Sequence, residues 1–118
     1  MAYRWSVSTG LITAAETPLF ARQAREVWSD AEREEFVLFI AANPEAGDVI
    51  PETGGVRKVR WTRAGSGKRG GVRVVYFFHD RRRPIYLLMV YAKGRKEDLS
   101  PDEKRSVRAI ATAIKRAR

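Results

Sequence analysis

Cysteine is absent from this 118-residue chain, and histidine occurs once. The first absence excludes disulfides and thiolate metal sites, and a lone His79 leaves too few nitrogen ligands for an ordinary zinc centre. Long apolar runs are missing as well. The longest, Ile85 to Ala92, falls far short of the roughly 20 residues that cross a bilayer. No charged stretch followed by an apolar one opens the chain, so the expectation is a cytoplasmic protein with no membrane partner. Acidic residues are scarce in one half only: residues 53–118 carry 19 Lys/Arg against 5 Asp/Glu, whereas residues 1–52 carry 4 against 9. A formal charge of +9 therefore hides an acidic first half and a strongly basic second half. Clustered cations gain free energy by neutralising phosphates and releasing counterions, which points the second half at RNA, DNA or a ribosome. The competing reading is a solvated, highly soluble surface.

What is present suits one globular domain over 1–118, with residues 1–10 as an N-terminal extension that shows no period. Hydrophobic residues make up 44% and charged residues 31%, enough to bury a core and too apolar for wholesale disorder. Leu11 to Glu16 reads as a short strand. Thr17 followed by Pro18 is a helix start, with Phe20, Ala24, Val27 and Trp28 at helical spacing. Ser29 and Glu32 form a capping-box pattern, and Phe36, Phe39 and Ile40 carry a second helix up to Asn43-Pro44, where proline disfavours helical backbone. Gly47, Pro51, Gly54 and Gly55 mark a loop. Three β-rich runs follow, Val56–Thr62, Val72–His79 and Ile85–Lys93, and an antiparallel meander is their simplest connection. The last run is apolar at almost every position, as a central strand covered on both faces would be. Ser100, Pro101 and Glu103 open a third helix with the stripe Val107, Ile110, Ala111 and Ile114, which should pack on the sheet. The fold class is α+β.

Alternation within the first β-rich run puts Lys58 and Arg60 on one face and Val59 and Trp61 on the other. Lys58, Arg60, Arg73, Tyr91, Lys93 and Arg95 come from three strands or their ends, so a folded meander can converge them. Arg73 stands inside an otherwise apolar strand, where an uncompensated charge is expensive. It either ends the strand in solvent or holds a phosphate. The glycine loop Gly65 to Gly71 contains a formal G-x-G-x-x-G, but a dinucleotide site needs a helix after it, and here a strand follows. A basic hairpin loop in which Lys68 and Arg69 reach nucleic-acid backbone is the better account, with a plain connection as its alternative. His79, before Asp80 and Arg81, reads as a turn residue before a general base, and Arg81–Arg83 as a solvated turn before a phosphate contact. Glu34 and Glu35 read as solvated or partner-facing.

The ordered strings NPEAGDVIPETGGVRKVRW, GSGKRGGVRVVYFFHD and IYLLMVYAKGRKEDLSPDE resemble the RelE/HigB family of toxin–antitoxin ribonucleases, most closely its HigB-like branch. The resemblance covers about residues 11–115. It implies a small RelE-like domain: an antiparallel β-meander packed against N-terminal helices and a C-terminal helix. It also implies an endoribonuclease that cuts translated mRNA in the ribosome and is held inactive by a cognate antitoxin. That antitoxin is expected to be HigA-like, with a helix-turn-helix domain, so that operator DNA is met only indirectly. Acidic positions such as Glu32 and Glu35 are candidates to meet it. Carried over by motif, the family's basic site falls on Lys58, Arg60 and Arg73, with Lys93 or Arg95 at the last strand's end. Tyr91 substitutes for a C-terminal aromatic that the stretch GRKEDLS lacks. Arg57, Lys68, Arg69, Arg95 and Lys96 are the expected RNA or ribosome contacts.

Such a site needs no cofactor or metal. A ribose 2′-hydroxyl attacking its own 3′-phosphate requires a proton acceptor, a proton donor and charge stabilisation on the phosphoryl group. Lys58 is the candidate base, Arg60 and Arg73 the phosphate clamp, and Lys93 or Tyr91 the acid. A lysine base needs neighbouring cations that disfavour its charged form. Two alternatives remain: a gyrase-inhibiting toxin of the related ParE type, and an RNA- or ribosome-binding module that catalyses nothing.

Overall fold

The computed structural model describes residues 2–4, 12–62, 71–96 and 98–117, the first group by backbone alone. In chain order the elements are β1 (Ala2–Arg4), β2 (Ala14–Glu16), α1 (Pro18–Val27), α2 (Asp30–Ala42), β3 (Asp48–Val49), β4 (Arg57–Trp61), β5 (Val72–Phe77), β6 (Ile85–Ala92) and α3 (Pro101–Arg116). The strands form one mixed sheet in the order β1-β2-β6-β5-β4-β3. β4, β5 and β6 make the expected antiparallel meander, while β2 lies parallel to β6. Two strands were not legible as such. The extension without period contributes β1, which pairs with β2, and the glycine-proline loop contributes the two-residue β3 beside β4. Both are too short to show alternation. No described helix is long and apolar enough to cross a membrane.

The helix starts follow from the side chains at their caps. The Thr17 hydroxyl accepts from the Phe20 amide and donates to the Leu87 carbonyl at 3.1 Å, so it ends α1 and moors it to β6 together. Ser29 with Glu32, and Ser100 with Glu103, make complete capping boxes at α2 and α3. Parallel pairing of β2 with β6 stops at Glu16–Leu87. Beyond it α1 takes over, and the Gln23 side-chain oxygen accepts from the Val90 amide at 3.0 Å. A donor on the uncovered edge is thereby satisfied.

The sheet separates two cores. Phe20, Phe36, Ile40, Val74, Tyr76 and Leu87 belong to the one under α1 and α2. Val75, Phe77, Met89, Leu99, Val107 and Ala111 belong to the one under α3. β6 contributes to both, as its unbroken apolar run requires. Ile110 departs from the expected stripe: it is 38% exposed, because the buried contacts of α3 run through Val107 and Ala111. Glu16, only 2% exposed, accepts a two-pronged ion pair from Arg33 at 2.9 and 2.6 Å, tying the end of β2 to α2.

An aromatic ladder sets the orientation of β4. Trp28 stacks on Phe36 at 5.3 Å, and Trp61 meets Phe36 at 5.5 Å and Phe39 at 4.8 Å. Drawing Trp61 and Val59 under α2 leaves Lys58 and Arg60 no choice but the opposite face. The turn before β3 is fixed by Tyr76, whose hydroxyl donates to the Pro44 carbonyl and accepts from the Gly47 amide, both at 2.8 Å. Burial pushes that phenol above its ordinary value, so it remains a neutral donor. Gly47 passes so close to β4 that a Cβ there would lie 2.8 Å from the Lys58 carbonyl.

Candidate nucleic-acid interface

Arg60 pairs directly with Arg73, and Arg73 pairs with Tyr91, so three strands present one transverse row of side chains. Lys58 stands two residues from Arg60 on the same face, opposite Val75. The apolar packing under α3 reaches Val75, Tyr91 and Leu99, and Arg73 is the next residue of that face along β5. One guanidinium nitrogen of Arg73, Nη1, is buried with no hydrogen-bond partner among the described residues. A buried, unsatisfied cationic donor is costly, and an anion delivered to that face would satisfy it.

A β-bulge brings Tyr91 into the row. Val75 faces Met89 while Tyr76 faces Leu87, so Leu88 is an extra residue in β6. Leu88 and Met89 therefore both pack toward α3. Strict alternation from Ile85 and Leu87 would have sent Tyr91 to the α1 side; the bulge reverses its parity.

The loop after β6 supplies further cations, and counter-charges come from that loop and from the start of α3. Lys93 and Arg95 are exposed in the turn, with the Arg95 amide bonded to the Ala92 carbonyl at 3.0 Å. The Lys96 ammonium lies 4.9 Å from the centre of the Tyr91 ring and pairs with Glu103. Burial alone would raise the Glu103 carboxyl, but the hydrogen bonds from Lys96 and from the Ser100 amide outweigh it and hold it below its ordinary value. Lys58 makes an ion pair with Asp98 at 3.1 Å. From the sequence Glu103 reads only as a helix cap, and Asp98 carries no assigned role. A signal existed: of the five acidic residues in the basic half, four fall between 97 and 103.

Other expected residues are placed elsewhere. Arg57 does not join the row. It shares the face of Val59 and Trp61, where its guanidinium donates to the Gly47 carbonyl at 2.7 Å and approaches Glu45 at 3.8 Å. That position follows from the alternation that puts Lys58 on the other side, so Arg57 braces a turn of the α2 face. Lys68 and Arg69 lie outside the described residues. His79 lies in the stretch between β5 and the turn begun by Asp80, its ring stacked on Phe77 and its Nε2 3.9 Å from Asp80. Arg83 donates to Asp80 and to the Ala117 carbonyl, anchoring the end of α3. Glu32 is engaged in its capping box, whereas Glu34, Glu35 and the 54%-exposed Leu38 share the outer face of α2.

One family model matches residues 16–118 of the chain: the RelE toxin of the RelE / RelB toxin-antitoxin system.

Proposed function

Because the chain belongs to the RelE toxin family of toxin–antitoxin systems, we propose that it is an endoribonuclease that cuts translated mRNA on the ribosome. The observation that carries this reading is the Arg60–Arg73–Tyr91 row, with Lys58 on its face and a buried guanidinium nitrogen of Arg73 left for an anion. Two adjacent arginines can hold the non-bridging oxygens of a phosphodiester and stabilise the charge that develops there. Lys58 takes the 2′-hydroxyl proton as the 2′-oxygen bonds to phosphorus. The bond to the 5′-oxygen then breaks and that oxygen receives a proton, leaving a 2′,3′-cyclic phosphate and a 5′-hydroxyl. Proton removal by Lys58 requires its neutral amine, so the side chain must leave Asp98 and give up one proton to solvent before it accepts the proton of the 2′-hydroxyl. As proton donor the register favours Tyr91, the cross-strand partner of Arg73, over Lys93 in the exposed turn.

Members of this family pair with an antitoxin. For this chain the proposed partner is a HigA-like, helix-turn-helix antitoxin, with the toxin in the HigB-like branch, and operator DNA is reached only through that partner. An acidic antitoxin segment laid over Lys58, Arg60 and Arg73 is the complement their charge asks for. Primer extension in a translation extract tests the nuclease: cuts inside codons are expected from the wild-type chain and none from Arg73→Ala. Intact mRNA with reduced DNA supercoiling would replace this reading with gyrase inhibition, and intact mRNA with unchanged supercoiling would reduce it to binding alone.

A further inference from the structure

Tyr91 ends the transverse row, and a cation stands against its ring. The ring belongs to the core under α3, with Leu99 and Val107, and Tyr91 is only 6% exposed. After β6 the backbone turns at once, the Arg95 amide bonding to the Ala92 carbonyl at 3.0 Å, and this turn leads to Lys96. Its ammonium lies over the Tyr91 ring, 4.9 Å from the centre. The same ammonium donates to one oxygen of Glu103, whose other oxygen accepts from the Ser100 amide at 2.9 Å. The Ser100 hydroxyl in turn accepts from the Glu103 amide at 3.1 Å, so the first turn of α3 fixes the carboxylate. Contacts thus run unbroken from helix cap to carboxylate to ammonium to ring. The charge pattern of the sequence assigns Lys96 to RNA, but in the folded chain that charge is engaged internally.

We infer that Lys96, held by Glu103, is a positioning residue for Tyr91 and not an RNA contact, an inference that rests on the proposed cleavage reaction with Tyr91 as its proton donor. When the bond from phosphorus to the 5′-oxygen breaks, its electron pair stays on that oxygen and the Tyr91 hydroxyl proton moves there, leaving a phenolate. A cation over the ring is attracted to the neutral ring by its quadrupole and to the phenolate by a full charge, so the contact strengthens as the proton leaves. Solvent then returns the proton to the phenolate. A lysine without a partner would sample many rotamers; Glu103 removes that freedom before RNA arrives.

Ring currents test the geometry without any reaction. The Cε protons of Lys96 should resonate upfield of an ordinary lysine in the wild-type chain and return toward the ordinary position in Glu103→Gln. Cleavage of mRNA on ribosomes tests the role. Lys96→Met should lower kcat roughly tenfold with KM little changed, and Lys96→Arg, which keeps a cation able to lie on the ring, should recover most of it. Glu103→Gln should lower kcat in the same direction, and adding it to Lys96→Met should cost nothing further, because the two side chains act as one unit. An ordinary lysine shift in wild type, or one that stays upfield in Glu103→Gln, overturns the inference. So does a Lys96→Met loss that arginine does not recover. Wild-type kcat in Lys96→Met, with or without a raised KM, overturns it too and leaves the nuclease standing, a raised KM returning Lys96 to the RNA path. If the wild-type chain cuts nothing, the cleavage reading itself fails and the role of Lys96 falls with it, whatever the ring shift shows.

Discussion

Arg60 and Arg73 face each other across neighbouring antiparallel strands. Like charges directly opposite in a sheet are destabilising, and Arg73 also buries a guanidinium nitrogen that has no partner among the described residues. The arrangement is unfavourable for the folded chain alone and becomes favourable when an anion lies between the two.

That cost yields the first expectation. Arg73→Met keeps the volume and the apolar stem while removing the charge, so it should raise stability by about 0.5–2 kcal/mol in urea denaturation and abolish mRNA cleavage. A destabilised Arg73→Met would mean that the guanidinium is satisfied in the free protein, and the anion site would lose its main support.

Asp98 holds the ammonium that the proposed site would offer to a phosphate, that of Lys58. The pair is on the surface, with Asp98 80% exposed, and such pairs hold at most about 1 kcal/mol. Asp98→Asn should therefore tighten binding of a short single-stranded RNA by up to about fivefold and steepen its salt dependence by about one phosphate contact. Fluorescence anisotropy at several salt concentrations measures both quantities. An affinity and slope equal to wild type would place Lys58 outside the RNA path.

Glu103 connects the loop after β6 to α3 through Lys96, and its folded carboxyl lies below its ordinary value. A depressed carboxylate contributes stability above the ordinary range and loses it as pH falls through the folded value. Glu103→Gln keeps the capping geometry and removes the charge. It should melt roughly 2–4 °C below wild type at neutral pH, and the gap should close in acid, where both side chains are neutral. Melting curves across the acid range check the sign.

Tyr76→Phe removes the hydroxyl that joins Pro44 to Gly47 inside the α2-side core. Leaving a buried carbonyl and amide unpaired should cost about 1–3 kcal/mol in denaturant unfolding. Hydrogen exchange at the Gly47 amide should accelerate as the turn before β3 loosens.

Much of this architecture can be read from the chain before folding, because its signals are local. The three helix starts are written in Thr17-Pro18, Ser29 with Glu32, and Ser100-Pro101 with Glu103, and the structure caps all three as those residues require. Alternation in β4 sorts Lys58 and Arg60 from Val59 and Trp61, and the same rule removes Arg57 from the row. β1 and β3 escaped because two or three residues carry no period, and pairing partners alone define them.

Composition and local pattern by themselves determined an α+β chain with a basic second half, capped helices and a β4 that shows its cations on one side. Only the folded sheet decided which cations meet. Strand register set Arg60 against Arg73, and the extra residue Leu88 turned Tyr91 onto their face. Register and bulges arise from pairing between segments distant in sequence, where shifting a strand by one residue reverses every side chain, and no window of neighbouring residues encodes that choice.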